Sequence, residues 1–289
     1  MTIDNAAAPV AAAPDSGPAS APAGPRGGPP AIRFDGVSFG WPRVARACLT
    51  IEDFRVAAGE SVFLHGPSGS GKSTLQSLVG GVIAPGRGRV AVLGQDLAAL
   101  RAGARDRFRA DHIGFIFQLF NLIPYLSAAD NIVLPCRFSP ARRARVGAAG
   151  SAPHAEARRL AAHLDLAPEL LMRPAAELSV GQQQRVAAAR ALIGRPGLVI
   201  ADEPTSALDA DRQRAFLDLL LAECAAAGAS LLFVSHDPRL AEHFDRVVAL
   251  AQINRAAAGE VPAMSAPPGC PNARSVPPGG TARSARVPQ

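Results

Sequence analysis

This sequence of 289 residues is short of lysine, of aromatic residues and of long apolar segments. Lysine occurs once, at Lys72, and every other Lys-or-Arg position is arginine. Tryptophan and tyrosine also occur once each. No stretch of about 18 uncharged apolar residues is present, so the sequence predicts no membrane-spanning helix, and any membrane contact is expected to pass through a partner.

The cysteines are too scattered for a metal site. They form no C-x-x-C pair and have no histidine cluster near them, which excludes the usual zinc-binding patterns and predicts reduced thiols in a cytosol. These cysteines are Cys48, Cys136, Cys224 and Cys270. The first thirty residues lack a basic start followed by an apolar run, so no signal peptide is expected there.

Both ends of the sequence differ in composition from its middle. Residues 1–30 are mostly alanine, proline and glycine, and residues 256–289 repeat this bias with scattered arginines. Such segments bury too little apolar surface to fold, so both are predicted to be flexible tails. Because 48% of the chain is apolar, there is ample material for a core, which is predicted to lie within residues 31–255.

The basic character of the chain raises the question of a nucleic-acid partner. The net charge is +6, the pI is near 10.0, and Arg142, Arg143 and Arg145 form a small cluster. No aromatic residues are interleaved with these arginines for base stacking, and the abundance of Ala, Gly, Pro and Arg is a bias of the whole chain. We therefore expect no nucleic-acid partner.

Apolar runs of two kinds predict two kinds of sheet. Residues 31–56 alternate, with Ile32, Phe34 and Phe39 on one face, which is typical of a half-buried antiparallel sheet. Later runs suit the strands of a parallel sheet that is buried on both faces. These runs are residues 89–93, 113–117, 198–201 and 231–234.

The middle of the chain has helical spacing. Residues from about 96 to 177 are rich in arginine and alanine and are predicted to be a helical insertion that is broken by prolines. These prolines are Pro124, Pro135, Pro140 and Pro153. Two further helices are predicted, over residues 182 to about 193 and 212 to about 227. Gly194 and Gly228 follow them and suit left-handed caps.

The chemistry of the chain centres on its single lysine. Residues 66–73, the phosphate loop, fit the pattern G-x-x-x-x-G-K-[ST] between a predicted strand at 61–64 and a predicted helix at 73–79. Backbone N–H groups of such a loop and of the helix N-terminus hold phosphate oxygens, Lys72 reaches between two phosphates, and Ser73 binds magnesium. The predicted contacts are Gly66, Pro67, Ser68, Gly69, Ser70, Gly71, Lys72, Ser73 and Thr74. The chain is therefore predicted to bind a nucleoside triphosphate.

A phosphate loop is shared by kinases, small GTPases, helicases and other enzymes, so a second motif must narrow the function. Residues 178–185 read Leu-Ser-Val-Gly-Gln-Gln-Gln-Arg and resemble the signature of ATP-binding cassette (ABC) proteins, usually written LSGGQ. The signature positions are Leu178, Ser179, Val180, Gly181 and Gln182. Val180 stands where the family usually has glycine, which implies an altered γ-phosphate contact, while Ser179 and Gly181 keep the anion site at the helix start.

The resemblance covers residues 31 to about 252 and implies roles for further positions. Asp202 and Glu203 end an apolar strand, as the family's Walker B acids do. Asp202 is expected to face magnesium, and Glu203 is expected to act as general base or to position the attacking water. His236 follows the next apolar strand and matches the family's switch histidine, a donor toward the γ-phosphate.

Three more positions match motifs of the family. Gln118 ends the predicted strand at 113–117 and resembles the Q-loop glutamine, which contacts magnesium and water. Asp209 resembles the D-loop aspartate that joins the two sites of a dimer, and it also suits a helix N-cap. Trp41 stands where relatives usually stack a tyrosine on adenine, with Phe39 or simple packing of Trp41 as the alternative.

The resemblance implies an α/β fold: a P-loop NTPase ABC cassette with a RecA-like core, an antiparallel β subdomain and a helical subdomain at about 96–177. In the family, two such chains sandwich two ATP molecules with Mg²⁺, and each signature faces the phosphate loop of the other chain. The first expected partner is therefore a second copy of the chain in an isologous homodimer.

A transmembrane permease is the second expected partner. The loop from Gln118 to Ser127 is apolar and aromatic, and exposed apolar patches mark binding sites. In the family a permease's coupling helix docks there, although core packing would also explain the loop. The chain is thus expected at the cytoplasmic face of the inner membrane, as a peripheral, ATP-hydrolysing transport subunit.

Residues 117–124 and the compact length resemble the subgroup of lipoprotein-releasing and macrolide-export cassettes, which implies export or force transmission. A soluble ABC ATPase acting on DNA or ribosomes is a less favoured alternative, because such proteins usually carry two cassettes or a long coiled coil. A cell-division cassette paired with a permease-like protein shares every motif and stays open.

Overall fold

The computed structural model describes residues 28–42, 46–206 and 208–257. Most of the two predicted tails lies outside these ranges, and so does Cys270. The strands in the described residues are β1 (Ile32–Phe39), β2 (Leu49–Val56), β3 (Ser61–His65), β4 (Arg87–Val92), β5 (Gln95–Asp96), β6 (Ile113–Ile116), β7 (Leu198–Asp202), β8 (Ser230–Val234) and β9 (Arg246–Ala249). The α-helices there are α1 (Lys72–Val79), α2 (Ala102–His112), α3 (Ala128–Phe138), α4 (Pro140–Ala148), α5 (Pro153–His163), α6 (Val180–Leu192), α7 (Ala210–Ala227) and α8 (Leu250–Ile253).

Four of the described strands form an antiparallel sheet in the order β2-β1-β4-β5. The pairing of β1 with β2 confirms the antiparallel sheet that the alternation in residues 31–56 predicts. The prediction that residues 89–93 belong to the parallel sheet is wrong, because β4 pairs antiparallel with β1. Only the last three residues of β4 are buried. An apolar run this short reports that a strand is buried and does not report whether the strand is parallel or antiparallel to its neighbours.

Five of the described strands form a parallel sheet in the order β6-β7-β8-β3-β9. Both of its faces are covered, as the predicted strands with continuous apolar sequence require. Val62 and Leu64 of β3 join the core that includes the antiparallel sheet and α1. Phe63, between them, joins the core formed with α3, α5, α6 and α7. The pairings of β6, β7 and β8 confirm the predicted parallel strands at 113–117, 198–201 and 231–234.

The register of the parallel sheet determines where side chains after the strands can meet. Ile116 of β6 pairs with Ala201 of β7, and Val234 of β8 pairs with both Asp202 of β7 and Leu64 of β3. The carboxyl ends of four strands therefore lie side by side at one edge of the sheet. Ligand sites of open α/β sheets form at this edge, and several of the predicted motifs follow these strand ends.

Residues 96–177 contain α2 to α5, and α3 and α5 pack against α6. Pro140 and Pro153 occupy the first turns of α4 and α5, where proline costs no helical hydrogen bond. The predicted break at Pro135 is wrong, because Pro135 lies inside α3. The apolar face of α3 is buried against α5 and α6, and this packing outweighs the hydrogen bond that proline removes.

Two members of the arginine cluster in α4, Arg142 and Arg145, point into the protein, whereas Arg143 is exposed. Arg142 is only 2% exposed, and burial lowers the pKa of its guanidinium to about 10. The guanidinium donates to the backbone carbonyls of Ala110 at 2.8 Å, Ile113 at 2.7 Å, Ala191 at 3.1 Å and Ile193 at 2.9 Å. Arg145 donates to the carbonyls of Gly194 and Asp111. These carbonyls end α2 and α6, where backbone acceptors lack helical partners and carry partial negative charge.

Helices α6 and α7 begin two residues earlier than predicted, because each has a side-chain cap. Ser179 accepts a hydrogen bond from the N–H of Gln182, and Asp209 accepts one from the N–H of Arg212. Helix α7 ends at Gly228, which has the left-handed φ of 66° that a glycine cap allows. Among the residues that the structure describes, no helix combines the length and the apolar character needed to cross a bilayer.

Candidate functional site

The phosphate loop joins β3 to α1 and turns through two left-handed glycines. Gly69 has a φ of 77° and Gly71 a φ of 105°, conformations that disfavour a side chain. A Cβ at Gly71 would lie 2.9 Å from Cδ2 of Leu49, so the loop lies against the antiparallel sheet. Helix α1 follows directly, and the first N–H groups of a helix have no partner within it. The loop therefore presents backbone donors together with the positive end of α1.

The ammonium of Lys72 folds over the phosphate loop. Its Nζ donates to the carbonyl of Gly66 at 2.6 Å and to that of Pro67 at 3.0 Å. The flexible stem of a lysine can exchange these carbonyls for phosphate oxygens by rotation. Ser73, the next residue of α1, is exposed and so accessible to a ligand, whereas Thr74 is buried.

Two acidic side chains follow β7 at the sheet edge described above. Asp202 is the last residue of β7 and lies beside the amide of Gln76, a residue of α1 that is only 6% exposed. Burial raises the pKa of the Asp202 carboxyl, and Glu203 acts in the same direction, while Gln76 and Lys72 oppose it. A carboxylate that burial destabilises gains from a bound cation, so this position suits a metal ligand.

Glu203 combines a strained backbone with a fixed side chain. Its φ of 46° is left-handed, which costs a residue other than glycine about 1–3 kcal/mol and is characteristic of functional sites. Its N–H donates to the carbonyl of Val234 at 2.9 Å, which ties the turn after β7 to β8. Its side chain is 13% exposed, and Oε2 lies 2.8 Å from Nδ1 of His236. The structure thus brings the predicted base and the predicted switch histidine together.

Gln118 is exposed and follows β6 at the same edge, in a strained turn. Phe120 and Asn121 have φ values of 59° and 49°, both left-handed. Their carbonyls accept hydrogen bonds from the guanidinium of Arg190 on α6, whose pKa burial lowers. Helix α6 also begins with the signature, so Arg190 connects the turn after Gln118 to the helix that carries the signature.

The rest of the 118–127 loop is anchored by Asn131 of α3, which is completely buried. Its Oδ1 accepts from the N–H of Ile123 at 2.8 Å, and its Nδ2 donates to the carbonyls of Ile123 at 3.0 Å and Ser127 at 3.1 Å. On the outer side, Leu119 is 83% exposed and Tyr125 is 80% exposed. The loop is therefore held from inside and presents apolar groups outward. Core packing does not explain these two side chains.

Trp41 follows β1, at the end of the antiparallel sheet that lies against the phosphate loop. Phe39 pairs with Leu49, and Leu49 is the residue that closely approaches Gly71. The rings of Phe39 and Trp41 meet edge to face with centroids 5.1 Å apart. Trp41 is 45% exposed, so the indole is accessible beside the phosphate loop.

The signature residues begin α6. Ser179 and Gln182 form a capping box, in which Ser179 Oγ accepts at 3.4 Å and Gln182 Oε1 accepts at 2.9 Å. Leu178 is buried, whereas Val180, the first helical residue, is 49% exposed. Val180 has a negative φ, so valine replaces the usual glycine here without backbone strain. In the described residues, no hydrogen bond or ion pair joins Gly181 or its signature neighbours to the phosphate loop or to the acids after β7.

Asp209 acts as the N-cap of α7. Its Oδ1 accepts from the N–H of Arg212 at 3.0 Å, and its other oxygen lies 3.3 Å from Arg212 Nε. Ala207, in the middle of the predicted D-loop, lies outside the described residues. The capping alternative is thus observed, and the D-loop role stays a prediction.

Sequence reasoning missed three residues that shape the site: Gln76, Asn131 and Arg190. Gln76 and Asn131 are polar residues next to apolar ones on buried helix faces, and that interruption was the available signal. Arg190 gave no signal, because it resembles any arginine in an alanine-rich helix. Its partners are backbone carbonyls about 70 positions earlier in the chain, as the bond to Phe120 shows.

The chain has clear relatives among known proteins. The sequence pattern that defines the family described as "ABC transporter" matches residues 49–206. The lipoprotein-releasing system ATP-binding protein LolD of Anaeromyxobacter dehalogenans is 45% identical over 198 residues, 68% of this chain and 80% of LolD. The probable export ATP-binding/permease protein MacB of Pseudomonas entomophila is 39% identical over 223 residues, 76% of this chain. The chain matches only 32% of the length of that MacB.

Solved structures show the same architecture. The dimeric post-hydrolysis structure of the ATP-binding cassette MJ0796, bound to ADP and Pi, matches with a TM-score of 0.67 and 32% identity over 75% of this chain and 93% of that one. The structure of cbiO1 from Clostridium perfringens matches with a TM-score of 0.64 over 76% of this chain and 84% of its own. At 21% identity, the second likeness concerns the fold alone.

Proposed function

Since the chain belongs to the ABC transporter family, we propose that it binds and hydrolyses ATP and thereby powers a separate membrane permease. The kinship with LolD and MacB, named for lipoprotein release and for export, supports export or force transmission as the work performed. In this proposal residues 31–255 form the ATP-binding domain, with a helical subdomain at about 96–177, and residues 1–30 and 256–289 are tails.

The observation that carries the proposal is the 2.8 Å contact between Glu203 Oε2 and His236 Nδ1. It lies at the sheet edge where the phosphate loop follows β3. Glu203 is the proposed general base, or it positions the attacking water. His236 would donate toward the γ-phosphate by exchanging the Glu203 carboxylate, its acceptor in this structure, for a phosphate oxygen. Lys72 and the N–H groups at the start of α1 hold the phosphates, and Trp41 stacks on the adenine.

Magnesium is the proposed metal, held by Ser73, Gln118 and Asp202. All three offer oxygen atoms, which Mg²⁺ prefers, and burial of Asp202 favours a neighbouring cation. Among the described residues there is no cluster of three or more His, Cys, Asp or Glu, so phosphate oxygens and water are expected to complete the coordination. The ion supplies positive charge that offsets the charge of the phosphates.

A second copy of the chain is proposed to complete each site. The N–H groups of Val180 and Gly181 begin α6, where a helix lacks internal partners for its donors. We place them, with Ser179, on the γ-phosphate of the ATP held by the other copy, and Asp209 at the same interface. The ADP- and Pi-bound MJ0796 dimer supports this arrangement, in which both copies use the same surface.

The permease is proposed to dock on the 118–127 loop. Leu119 and Tyr125 expose apolar surface there, and Met172, 79% exposed, adds to it beside Arg173, whose carbonyl accepts from the N–H of Ala128. An apolar patch of this kind on an otherwise charged surface marks a binding site. Docking would hold the chain at the cytoplasmic face of the inner membrane as a peripheral subunit.

The test of the catalytic assignment is Glu203→Gln. The amide cannot accept a proton, so steady-state ATP hydrolysis should fall at least about 100-fold, while ATP affinity stays within about threefold. With ATP present, the variant should persist as a dimer. Phosphate release measures ATP hydrolysis, and size-exclusion chromatography with light scattering detects the dimer.

Lys72→Ala serves as the matched control, because it should lose nucleotide affinity and therefore never form the ATP-dependent dimer. Full turnover by Glu203→Gln would falsify the base assignment. A wild-type chain that neither binds nor hydrolyses ATP would overturn the proposed function as a whole.

A further inference from the structure

The segment that follows β9 lies against the phosphate loop. We call residues 250–254, which are helix α8 and Asn254, the C-terminal strap. Leu250 is completely buried, and a Cβ placed on Gly66 would lie 3.4 Å from Cβ of Leu250. The strap therefore begins close beside the first glycine of the loop, with space for no more than an ordinary methyl contact between them.

The strap ends on the antiparallel sheet. Strand β2 lies at the edge of that sheet, so the outward backbone groups along it have no strand partner. Asn254 fills this position with its side chain: Oδ1 accepts from the N–H of Thr50 at 2.9 Å, and Nδ2 donates to the carbonyl of Cys48 at 3.1 Å. Its own N–H donates to the carbonyl of Leu250 at 2.8 Å, which closes the turn of α8.

The backbone that Asn254 binds lies next to Phe39 and Trp41, which we call the aromatic wall. The N–H of Cys48 donates to the carbonyl of Phe39 at 2.7 Å, and Phe39 contacts Trp41. Sγ of Cys48 lies 3.5 Å from Oγ1 of Thr74 in α1. The aromatic wall comes from one sheet and the phosphate loop from the other, and the strap contacts both at the end where they meet.

We propose that Asn254 is a positioning residue, which sets the spacing between Trp41 and the phosphate loop and so determines the affinity for the base of a nucleotide. This inference rests on the proposed function, because it assumes that ATP lies between the aromatic wall and the phosphate loop. The proposed phosphate contacts come from the loop, from α1, from the residues after the parallel strands and from the second copy. None of them belongs to the antiparallel sheet that Asn254 holds, so the affinity for the phosphates alone does not depend on Asn254. Loss of its side chain selectively weakens ligands that carry a base.

The experiment compares MgADP with magnesium tripolyphosphate, which has the phosphates but no base, by isothermal titration calorimetry on the full chain. Asn254→Ala should weaken MgADP binding about tenfold, since two hydrogen bonds to the β2 edge are lost. Tripolyphosphate binding should stay within about twofold. Asn254→Asp keeps the acceptor for Thr50 and should recover part of the loss. Trp41 emission, from the single tryptophan of the chain, gives a second readout of base stacking.

Arg255→Ala is the matched control. This substitution removes the exposed ion pair in which Arg255 Nη1 lies 2.5 Å from Glu52 Oε1. In the part of the chain that the structure describes, the Arg255 side chain makes no hydrogen bond to the backbone of β2. MgADP affinity in this variant should equal that of the wild type. Unchanged MgADP affinity in Asn254→Ala would overturn the inference, as would an equal loss of both ligands, which would indicate a damaged phosphate loop. A wild type that binds tripolyphosphate but not MgADP would overturn the proposed ATP site itself.

Discussion

At the scale of single residues, the cysteines show how position changes the chemistry of one kind of side chain. Cys224 is 3% exposed, and burial raises the pKa of its thiol to about 12. The thiolate is the reactive form, so at pH 8 almost all of Cys224 is the unreactive thiol. Cys48 is partly exposed and lies beside Thr74 in the phosphate-loop helix.

We therefore expect iodoacetamide at pH 8 to alkylate Cys48 of the native protein and to leave Cys224 unmodified. Raising the pH from 8 to 10 should speed labelling of Cys224 about 100-fold, because the thiolate fraction rises tenfold per pH unit below its pKa. MgATP should protect Cys48, since nucleotide would cover the adjacent loop. Peptide mapping by mass spectrometry measures each site. Rapid labelling of Cys224 at pH 8 in the folded protein would contradict this picture.

At the scale of elements, α4 is joined to α2 and α6 mainly through its arginines. Arg142 bonds four carbonyls from the ends of those helices, and no carboxylate bonds its guanidinium among the described residues. The partial negative charge of two helix ends takes the place of an acidic partner. A buried cation of this kind makes the junction of three helices depend on one side chain.

Arg142→Met should lower the free energy of unfolding by at least about 3 kcal/mol, because it leaves several buried carbonyls without donors. Arg143→Met is the control, since Arg143 is exposed and, within residues 28–42, 46–206 and 208–257, its side chain bonds only the carbonyl of Cys136 at 3.0 Å. Its cost should be below about 1 kcal/mol. Urea unfolding followed by circular dichroism compares the two variants. Equal midpoints would show that the buried guanidinium does not join the helices.

The difference between what the sequence predicted and what it missed follows from the range of the interactions. The phosphate loop, the acids after β7 and the helix caps depend on neighbours within a few residues, so their local patterns sufficed. The partner of β4, the continuation of α3 through Pro135 and the carbonyls bound by Arg142 and Arg190 depend on packing between distant segments. No local pattern encodes such contacts, and there the expectation failed or was absent.

At the scale of the whole molecule, the predicted fold class and the recognition of an ABC cassette related to lipoprotein-releasing and macrolide-export proteins are confirmed by the relatives and the solved structures. A cassette of this family is one part of a machine. We have proposed two surfaces for its partners: the start of α6 for a second copy of the chain and the 118–127 loop for a permease.

Replacing Leu119 and Tyr125 together by glutamate should abolish recovery of a multi-span membrane protein when the tagged chain is purified from native membranes in mild detergent. Charge on an apolar interface opposes its desolvation, whereas the buried anchors of the loop are untouched. ATP hydrolysis by the isolated chain should stay within about twofold. Phe138→Glu is the matched control, because Phe138 is 73% exposed at the end of α3, outside the loop. Recovery of the chain only with ribosomes or nucleic acid would contradict the transport role.

The left-handed backbone of Glu203 has a consequence for how this chain can change over generations. Glycine would occupy that conformation without strain, so the substitution that removes the proposed base also makes the fold easier to maintain. Selection for folded, abundant protein therefore pushes this position toward inactivity, and only the demand for ATP turnover holds the glutamate in place. A cassette of this design that lost its task could exchange Glu203 for glycine and remain well folded.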